Sequence, residues 1–191
     1  MHEPAGQHTG EIGVYHGRAR GAMTSNPDSG VSATFRIGEG YDVHALEVGR
    51  PMILGCRELE SDRGPVGHSD GDVLAHAICD SLLGAAALGD IGRHFPPGDE
   101  RYAGAPSRIF LERAVSLVAE AGYGLVNVDS TVIVERPRLS PHIGSIREAL
   151  AEALGCEVDR VSVKAKTAEK MGPVGEGRAI EARAVTLIAR L

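Results

Sequence analysis

The segment Gly40-Tyr-Asp-Val-His44 is the strongest constraint on how this chain can fold. In an extended segment residues i and i+2 share a face, so Asp42 and His44 project together while Val43 turns into the core. The pair is half of a metal site, and the other half must come from elsewhere. About thirty residues on, His68-Ser-Asp-Gly-Asp-Val-Leu-Ala-His76 supplies it. Asp70-Gly71-Asp72 reads as a helix start with acidic residues in the first turn. Val73, Leu74, Ala77, Ile78, Leu82 and Leu83 continue the apolar run to about Ala87, which places His76 one turn inside the helix. A strand and a helix must therefore pack face to face for Asp42, His44 and His76 to meet.

On that helix Asp72, His76 and Asp80 recur at i, i+4 and i+8, so a carboxylate is expected to hold the second imidazole nitrogen and fix the tautomer that binds metal. Two His and one carboxylate leave a coordination position open, as in catalytic zinc sites; structural zinc takes four protein ligands rich in Cys. Ser69 and the Gly-flanked turns offer donors to phosphate oxygens. The combination points to metal-assisted chemistry on a phosphorylated small molecule. Two other readings stay open on the residues alone. One is a zinc hydrolase, which needs a general base beside the open position, although the chain has no HExxH motif. The other is a metal- or nucleotide-binding module without turnover.

Composition narrows the partners. In 191 residues, 42% hydrophobic but only 4% aromatic, one Ala/Val/Leu/Ile-packed α/β or α+β domain is expected. A net charge of −6 without a basic block argues against nucleic acid, which needs clustered Lys and Arg. Cys56, Cys79 and Cys156 show no CxxC spacing and read as reduced, mostly buried thiols. No apolar run reaches a membrane span and the N-terminal residues lack an apolar signal region, so no membrane partner and a cytoplasmic location are expected.

Residues 1–33, rich in Gly, Ser, Thr, Pro and His, read as a disordered leader or tag-like extension, with Met23 a conceivable alternative start. The remainder, 34–191, reads as a single domain. Strands are expected at Phe35 to Val43, Met52 to Cys56, Val126 to Glu135, Val161 to Ala165 and Ala179 to Leu191. Helices are expected from Ser107, as its cap, to Ala121, and from Ser140-Pro141, with Pro in first position, to Leu154 before Gly155. Pro96 to Asp99 and Met171 to Gly177 read as loops. This order suggests an α+β fold, an α/β sandwich in which a mixed β-sheet carries helices on one face. The last strand has small or apolar residues on both sides, Ala182, Ala184 and Ile188 against Val185, Leu187 and Ala189, so a closed cyclic oligomer is expected to bury the other face.

Several stretches then become familiar together. Gly40-Tyr-Asp-Val-His44, His68-Ser-Asp-Gly-Asp-Val, Leu83-Gly-Ala-Ala-Ala-Leu-Gly-Asp-Ile-Gly92, Phe95-Pro96, Asn127-Val-Asp129, Pro141-His-Ile143 and Val163-Lys-Ala-Lys-Thr-Ala-Glu169 run in one order from about Phe35 to the C-terminus. In this the chain resembles the 2-C-methyl-D-erythritol 2,4-cyclodiphosphate synthases of the non-mevalonate isoprenoid pathway.

The resemblance implies a phosphorus-oxygen lyase acting on a cytidine diphosphate substrate. The 2-phosphate of 4-diphosphocytidyl-2-C-methyl-D-erythritol 2-phosphate attacks the β-phosphorus, closing a cyclic diphosphate and releasing CMP. It also implies a homotrimer around a threefold axis with active sites at the subunit interfaces. Asp42, His44 and His76 correspond to zinc ligands. Glu169 corresponds to the carboxylate holding a second cation, magnesium or manganese, between the substrate phosphates. Thr167 matches a transition-state stabiliser and His68 with Ser69 a flexible phosphate-binding pair, so the resemblance implies Thr167, His68 and Glu169 as the catalytic residues. Asp90, Ile91 and Gly92 match the segment meeting the methylerythritol, continued by Phe95 and Asp99. Val134, Pro137 and Arg138, with Lys166, Thr167, Ala168 and Glu169, match the cytidine pocket. In the loop Pro173-Val-Gly-Glu176-Gly-Arg178 the Glu and Arg stand in the opposite order from one common family form. They are expected to line the trimer axis, but ligand binding in the axial cavity does not carry over.

Overall fold

The computed structural model describes residues 34–96 and 98–191. The extension expected over 1–33, Met23 within it, and Pro97 lie outside the described residues. Strand β1 (Phe35–Val48) is longer than expected because Leu46, Glu47 and Val48 go on to pair with β4 (Arg63–Pro65). Between them β2 (Met52–Leu54) and β3 (Arg57–Leu59) form a hairpin of their own. The strand expected to run through Cys56 ends at Leu54, because Gly55 and Cys56 take φ of 58° and 61° and make the turn.

Helix α1 (Val73–Ala85) follows, capped by Asp72, with no acidic residue inside its first turn. The segment after it holds α2 (Ile91–His94) and a single 3-10 turn at Glu100–Tyr102, neither expected from periodicity. Helix α3 (Arg108–Glu120) leads into β5 (Tyr123–Ile133), which starts before Val126 and ends before Glu135. Helix α4 (Ile143–Leu154) begins after Pro141, not at it: the His142 amide closes a turn on the Leu139 carbonyl, which holds the proline ahead of the helix. Gly155, at φ 63°, ends α4 in the left-handed conformation that caps require. Strand β6 (Val161–Lys166), the four-residue α5 (Gly172–Gly175) inside the expected glycine-rich loop, and β7 (Ala179–Arg190) complete the chain.

The main sheet runs β4-β1-β7-β5-β6, with β5 and β6 parallel and the other neighbours antiparallel. It is the mixed sheet of an α+β fold. Alternation sorts its faces. Val128, Ser130 and Val132 of β5 and Ile180, Ala182, Ala184, Thr186 and Ile188 of β7 are buried on one side, where α1 packs on β1 and β7, α3 on β5 and α4 on β6. On the other side Ile37, Tyr41, Val43 and Val185 are 71, 43, 47 and 39% exposed, so among the described residues nothing covers that part of the face. Val43 therefore does not point into the core as expected. The helix-packed side is the one that carries Asp42 and His44.

Two glycines set the distance between strand and helix. A Cβ on Gly40 would lie 2.0 Å from the Ala77 carbonyl oxygen, and one on Gly38 2.0 Å from that of Ser81. At these positions β1 and α1 are in backbone contact, closer than any side chain permits. Leu74, Ile78 and Leu82 of α1 are fully buried, and each contributes about 1.5–3 kcal/mol of hydrophobic stabilisation that holds the contact closed. Among the described residues, no helix is long and apolar enough to cross a membrane.

Candidate active site

The backbone contact at Gly40 has a direct chemical consequence. It brings His76, on the first turns of α1, onto the two side chains that β1 projects beside it. His44 Nε2 lies 2.8 Å from Asp42 Oδ2, His76 Nδ1 lies 2.9 Å from the same oxygen, and the two nitrogens are 3.3 Å apart. These atoms meet on the wall of a cavity of about 280 Å³, and all three side chains are mostly buried.

Hydrogen bonds at the far side of each ring fix which nitrogen faces inward. The Val66 carbonyl, 2.5 Å from His44 Nδ1, can only accept, so Nδ1 carries the proton and Nε2 presents a lone pair. His76 Nε2 lies 2.9 Å from Ser107 Oγ and 3.1 Å from Ser69 Oγ, leaving Nδ1 toward the cluster. Two imidazole lone pairs and a carboxylate oxygen thus converge on one point. Without a metal ion the same ring nitrogens can take up protons and donate to Asp42: burial alone would raise its pKa, but these hydrogen bonds and the imidazolium charge outweigh it and hold the carboxyl well below its ordinary range. Burial would lower His44, and Asp42 outweighs it in turn and raises it.

The donor set fits a metal ion. Around a tetrahedral centre with bonds of roughly 2.0–2.1 Å, ligand atoms are separated by about 3.3 Å, and the observed separations of 2.8, 2.9 and 3.3 Å approach that triangle. Asp42, His44 and His76 form a candidate metal site among the described residues, with room on the cavity side for a further ligand.

The carboxylates expected to steady His76 do other work. Asp72 is fully buried and accepts from Gly55 N at 2.8 Å, Cys56 N at 2.6 Å and Ala75 N at 3.1 Å, tying the β2–β3 turn to the start of α1. Burial raises its pKa against those three donors. Asp80 accepts from Ile91 N at 2.7 Å and so pins α2 against α1. The helical stripe was real, but as the N-cap Asp72 turns toward main-chain amides, and Asp80 reaches α2 instead of the ring. The partners of His76 are Ser69 and Ser107, with Asp70 behind Ser107.

His68, Ser69, Ile91, Gly92 and Phe95 line the same cavity as the metal cluster, as do Asp80, Tyr102 and Phe110. Tyr102 and Phe110 escaped the sequence reading. Their ring centroids lie 5.5 and 4.7 Å from that of Phe95, making one aromatic wall. In a chain with only four Tyr and three Phe, that clustering was the available signal. Asp90 accepts from Arg93 N at 2.9 Å as the cap of α2. Asp99 turns its carboxylate to Arg101, while its carbonyl lies 3.2 Å from His68 Nε2.

The remaining expected residues gather elsewhere. Val134, Pro137, Arg138, Lys166 and Thr167 line a second cavity of about 350 Å³. Thr167 Oγ1 donates to Glu169 Oε1 at 2.6 Å, and Glu135, which lines the same cavity, accepts from the amides of Ala168 and Lys170 at 3.1 Å each. Asp42, Ala182, Val132 and Ala165 form one row across the sheet. The row spans three interstrand steps, so the metal cluster and the Thr167 cavity are separated by roughly 14 Å within a chain. Glu176 and Arg178 pair with each other at 2.7 Å on the loop before β7.

Residues 35–189 match the model of the YgbB family. A 2-C-methyl-D-erythritol 2,4-cyclodiphosphate synthase from Burkholderia thailandensis is 55% identical over 156 residues, which is 82% of this chain and 96% of the relative. The IspF structure from Plasmodium falciparum in complex with CDP aligns with a TM-score of 0.72 at 36% identity, over 82% of this chain and 96% of that one. The bifunctional IspDF structure from Campylobacter jejuni aligns with a TM-score of 0.79 at 34% identity, over 82% of this chain and 42% of that longer one. The collinear motifs, the mixed sheet and the Asp42–His44–His76 cluster all agree with these matches, and the chain belongs to the YgbB family of 2-C-methyl-D-erythritol 2,4-cyclodiphosphate synthases.

Proposed function

We propose that this synthase holds 4-diphosphocytidyl-2-C-methyl-D-erythritol 2-phosphate between two chains, its diphosphate at the Asp42–His44–His76 cluster of one and its cytidine in the Val134–Thr167 cavity of the next. It closes the substrate to 2-C-methyl-D-erythritol 2,4-cyclodiphosphate. An oxygen of the 2-phosphate forms a bond to the β-phosphorus as that phosphorus parts from the bridging oxygen, and the electron pair leaves with CMP. Neither water nor a protein nucleophile is consumed, so the protein's task is to position phosphates and balance their charge.

Asp42, His44 and His76 are the ligands for zinc, which when bound withdraws charge from the β-phosphate as a Lewis acid. Glu169 is the residue for magnesium or manganese, hard cations that favour phosphate oxygens with few protein ligands. His68 and Ser69 bind phosphate beside the cluster. Thr167 releases Glu169 and donates to a phosphate oxygen where charge develops. Ile91, Gly92 and Phe95 hold the methylerythritol, with Asp90 turned to its hydroxyls and Asp99 closing the wall. Arg138 and Lys166 meet phosphate, and the backbone from Val134 to Pro137 with Ala168 reads the base. The Plasmodium falciparum relative in complex with CDP supports a cytidine nucleotide in this role.

Two features support assembly as a homotrimer around a threefold axis. The sheet face bearing exposed Ile37, Tyr41, Val43 and Val185 is uncovered among the described residues, and the two half-sites are too far apart in one chain to share a diphosphate. Glu176 and Arg178 line the axis in this arrangement. The three free thiols suit a reducing cytoplasm.

The observation that carries the reading is the convergence of three lone pairs at 2.8 to 3.3 Å on the wall of a cavity sized for a small molecule. Its test is product analysis on the cytidine diphosphate substrate with and without chelator. Cyclic diphosphate and CMP, formed only in the metal-replete protein, are expected. Inorganic phosphate as the product would replace the cyclase with a hydrolase.

A further inference from the structure

We infer that Asp70 and Ser107 are positioning residues that dictate which nitrogen of His76 faces the metal. Ser107 stands at the N-cap of α3, where a serine ordinarily bonds its own helix, yet its side chain makes no capping bond. The hydroxyl, fully buried, is instead held between Asp70 Oδ1 and His76 Nε2.

The direction of each proton follows from the acceptors. Asp70 takes the Ser107 amide on Oδ2 at 2.8 Å and the Asp72 amide on Oδ1 at 3.2 Å. As an ionised carboxylate it has no proton to give, so the close Ser107 Oγ contact is a hydroxyl donating to Asp70. With its proton so committed, Ser107 Oγ can offer His76 only a lone pair. Nε2 must then carry the ring proton, and Nδ1 is left bare toward Asp42 and His44. Ser69 Oγ, 3.1 Å from Nε2, is a further acceptor for the same proton, but no carboxylate orients it. The two ligand imidazoles are thus locked by different means, His44 by a main-chain carbonyl and His76 by a replaceable pair of side chains.

The inference rests on the metal reading of Asp42, His44 and His76, and its test keeps the two apart. Metal-free protein is titrated with Co²⁺, following its visible absorption, and then with Zn²⁺ against a chromophoric chelator. Wild type binds, and Ser107→Ala weakens binding by about 10–100-fold, the usual effect of removing a partner behind a ligand histidine. Asp70→Asn unsettles the relay in either orientation of its amide, since the NH₂ meets the Ser107 amide in one and the Asp72 amide in the other. The Ser107 hydroxyl is no longer held as a donor to a carboxylate, so Asp70→Asn also loses affinity, and adding Ser107→Ala to it costs little more, because both changes act through that one hydroxyl. A purely structural role would make the two losses add. Thermal melts of the metal-free variants report folding separately, and long-range ¹H–¹⁵N spectra of the zinc-loaded wild type should show His76 protonated on Nε2, a readout independent of any variant. Wild-type affinity in both variants, additive losses, or a ring protonated on Nδ1 would overturn the relay alone. A wild-type protein that binds neither ion would remove the metal reading beneath it.

Discussion

The Asp42–His44–His76 cluster and the Thr167–Glu169 segment stand at the same end of one sheet, yet the first is fastened on every side and the second at few points. Both imidazoles have a hydrogen-bond partner behind them, and their side chains are only 16 and 13% exposed. Thr167 and Glu169 are exposed, bonded to each other, and followed by main chain at φ 51° for Glu169 and 64° for Lys170. Left-handed backbone at residues other than glycine costs roughly 1–2 kcal/mol each, offset here by the two amides that Glu135 accepts. The difference shows where organisation is spent before substrate arrives. Charge-binding geometry is built in advance by one chain, and the segment proposed to meet nucleotide and second cation is left to be completed.

Breaking the fastened half should have the largest effect. Asp42→Ala or His44→Ala removes a ligand from an otherwise intact cavity wall, and losing several kcal/mol of charge stabilisation lowers kcat by about a thousandfold or more. Metal analysis should find the ion gone while circular dichroism stays unchanged. Retained turnover in the metal-stripped protein would contradict the role given to the cluster.

The next effect is on stability. Asp72→Ala leaves the amides of Gly55, Cys56 and Ala75 without their acceptor in a fully buried place, and hydrogen bonds to a charged group contribute about 1.5–3 kcal/mol each before compensation. A loss of roughly 2–4 kcal/mol in urea unfolding is expected. Because Asp72 anchors α1 and does not touch the His76 ring, activity per folded molecule should fall far less than in the ligand variants. Thr167→Ala acts on the open half, where one hydrogen bond to developing charge is at stake. Its kcat should fall by roughly 10–100-fold with KM nearly unchanged, and a change confined to KM would count against a transition-state role.

What the sequence revealed of this site follows the range of the forces involved. The strand at Gly40 to His44, the helix carrying His76 and the Gly155 cap were legible because periodicity and caps are local. The same locality explains the errors. Helical spacing put Asp72 and Asp80 on the face of His76 but could not tell that a capping carboxylate turns toward amides sixteen and seventeen positions away. Ser107 reads as a cap from its neighbours, whereas its partners Asp70 and His76 lie 37 and 31 residues upstream. Three-residue strands such as β3 and β4 are too short to show alternation at all. Val43 was assigned to the core because alternation states that two faces differ, not which one the helices will cover.

Glu135 offers the smallest and most discriminating change. Its Oε1 accepts from both Ala168 and Lys170, and these two bonds are the main restraint on the segment between Thr167 and Lys170. Glu135→Gln keeps an oxygen in the same place, so the segment should hold its shape and kinetics should stay within a few-fold of wild type. Glu135→Ala removes it, and the left-handed residues lose what offsets their strain. Amide exchange at Ala168 to Lys170 should then speed up by about tenfold, the equivalent of roughly 1.4 kcal/mol, and KM should rise more than kcat falls, since the segment must be ordered again each time substrate binds. Metal affinity at the Asp42 cluster should not change, because among the described residues the Glu135 carboxylate bonds Ala168 and Lys170 and no side chain of the cluster. Were the alanine variant to lose metal, the two halves would be one coupled unit, and the contrast between a fastened cluster and an open segment would give way to a single network running from β1 to β6.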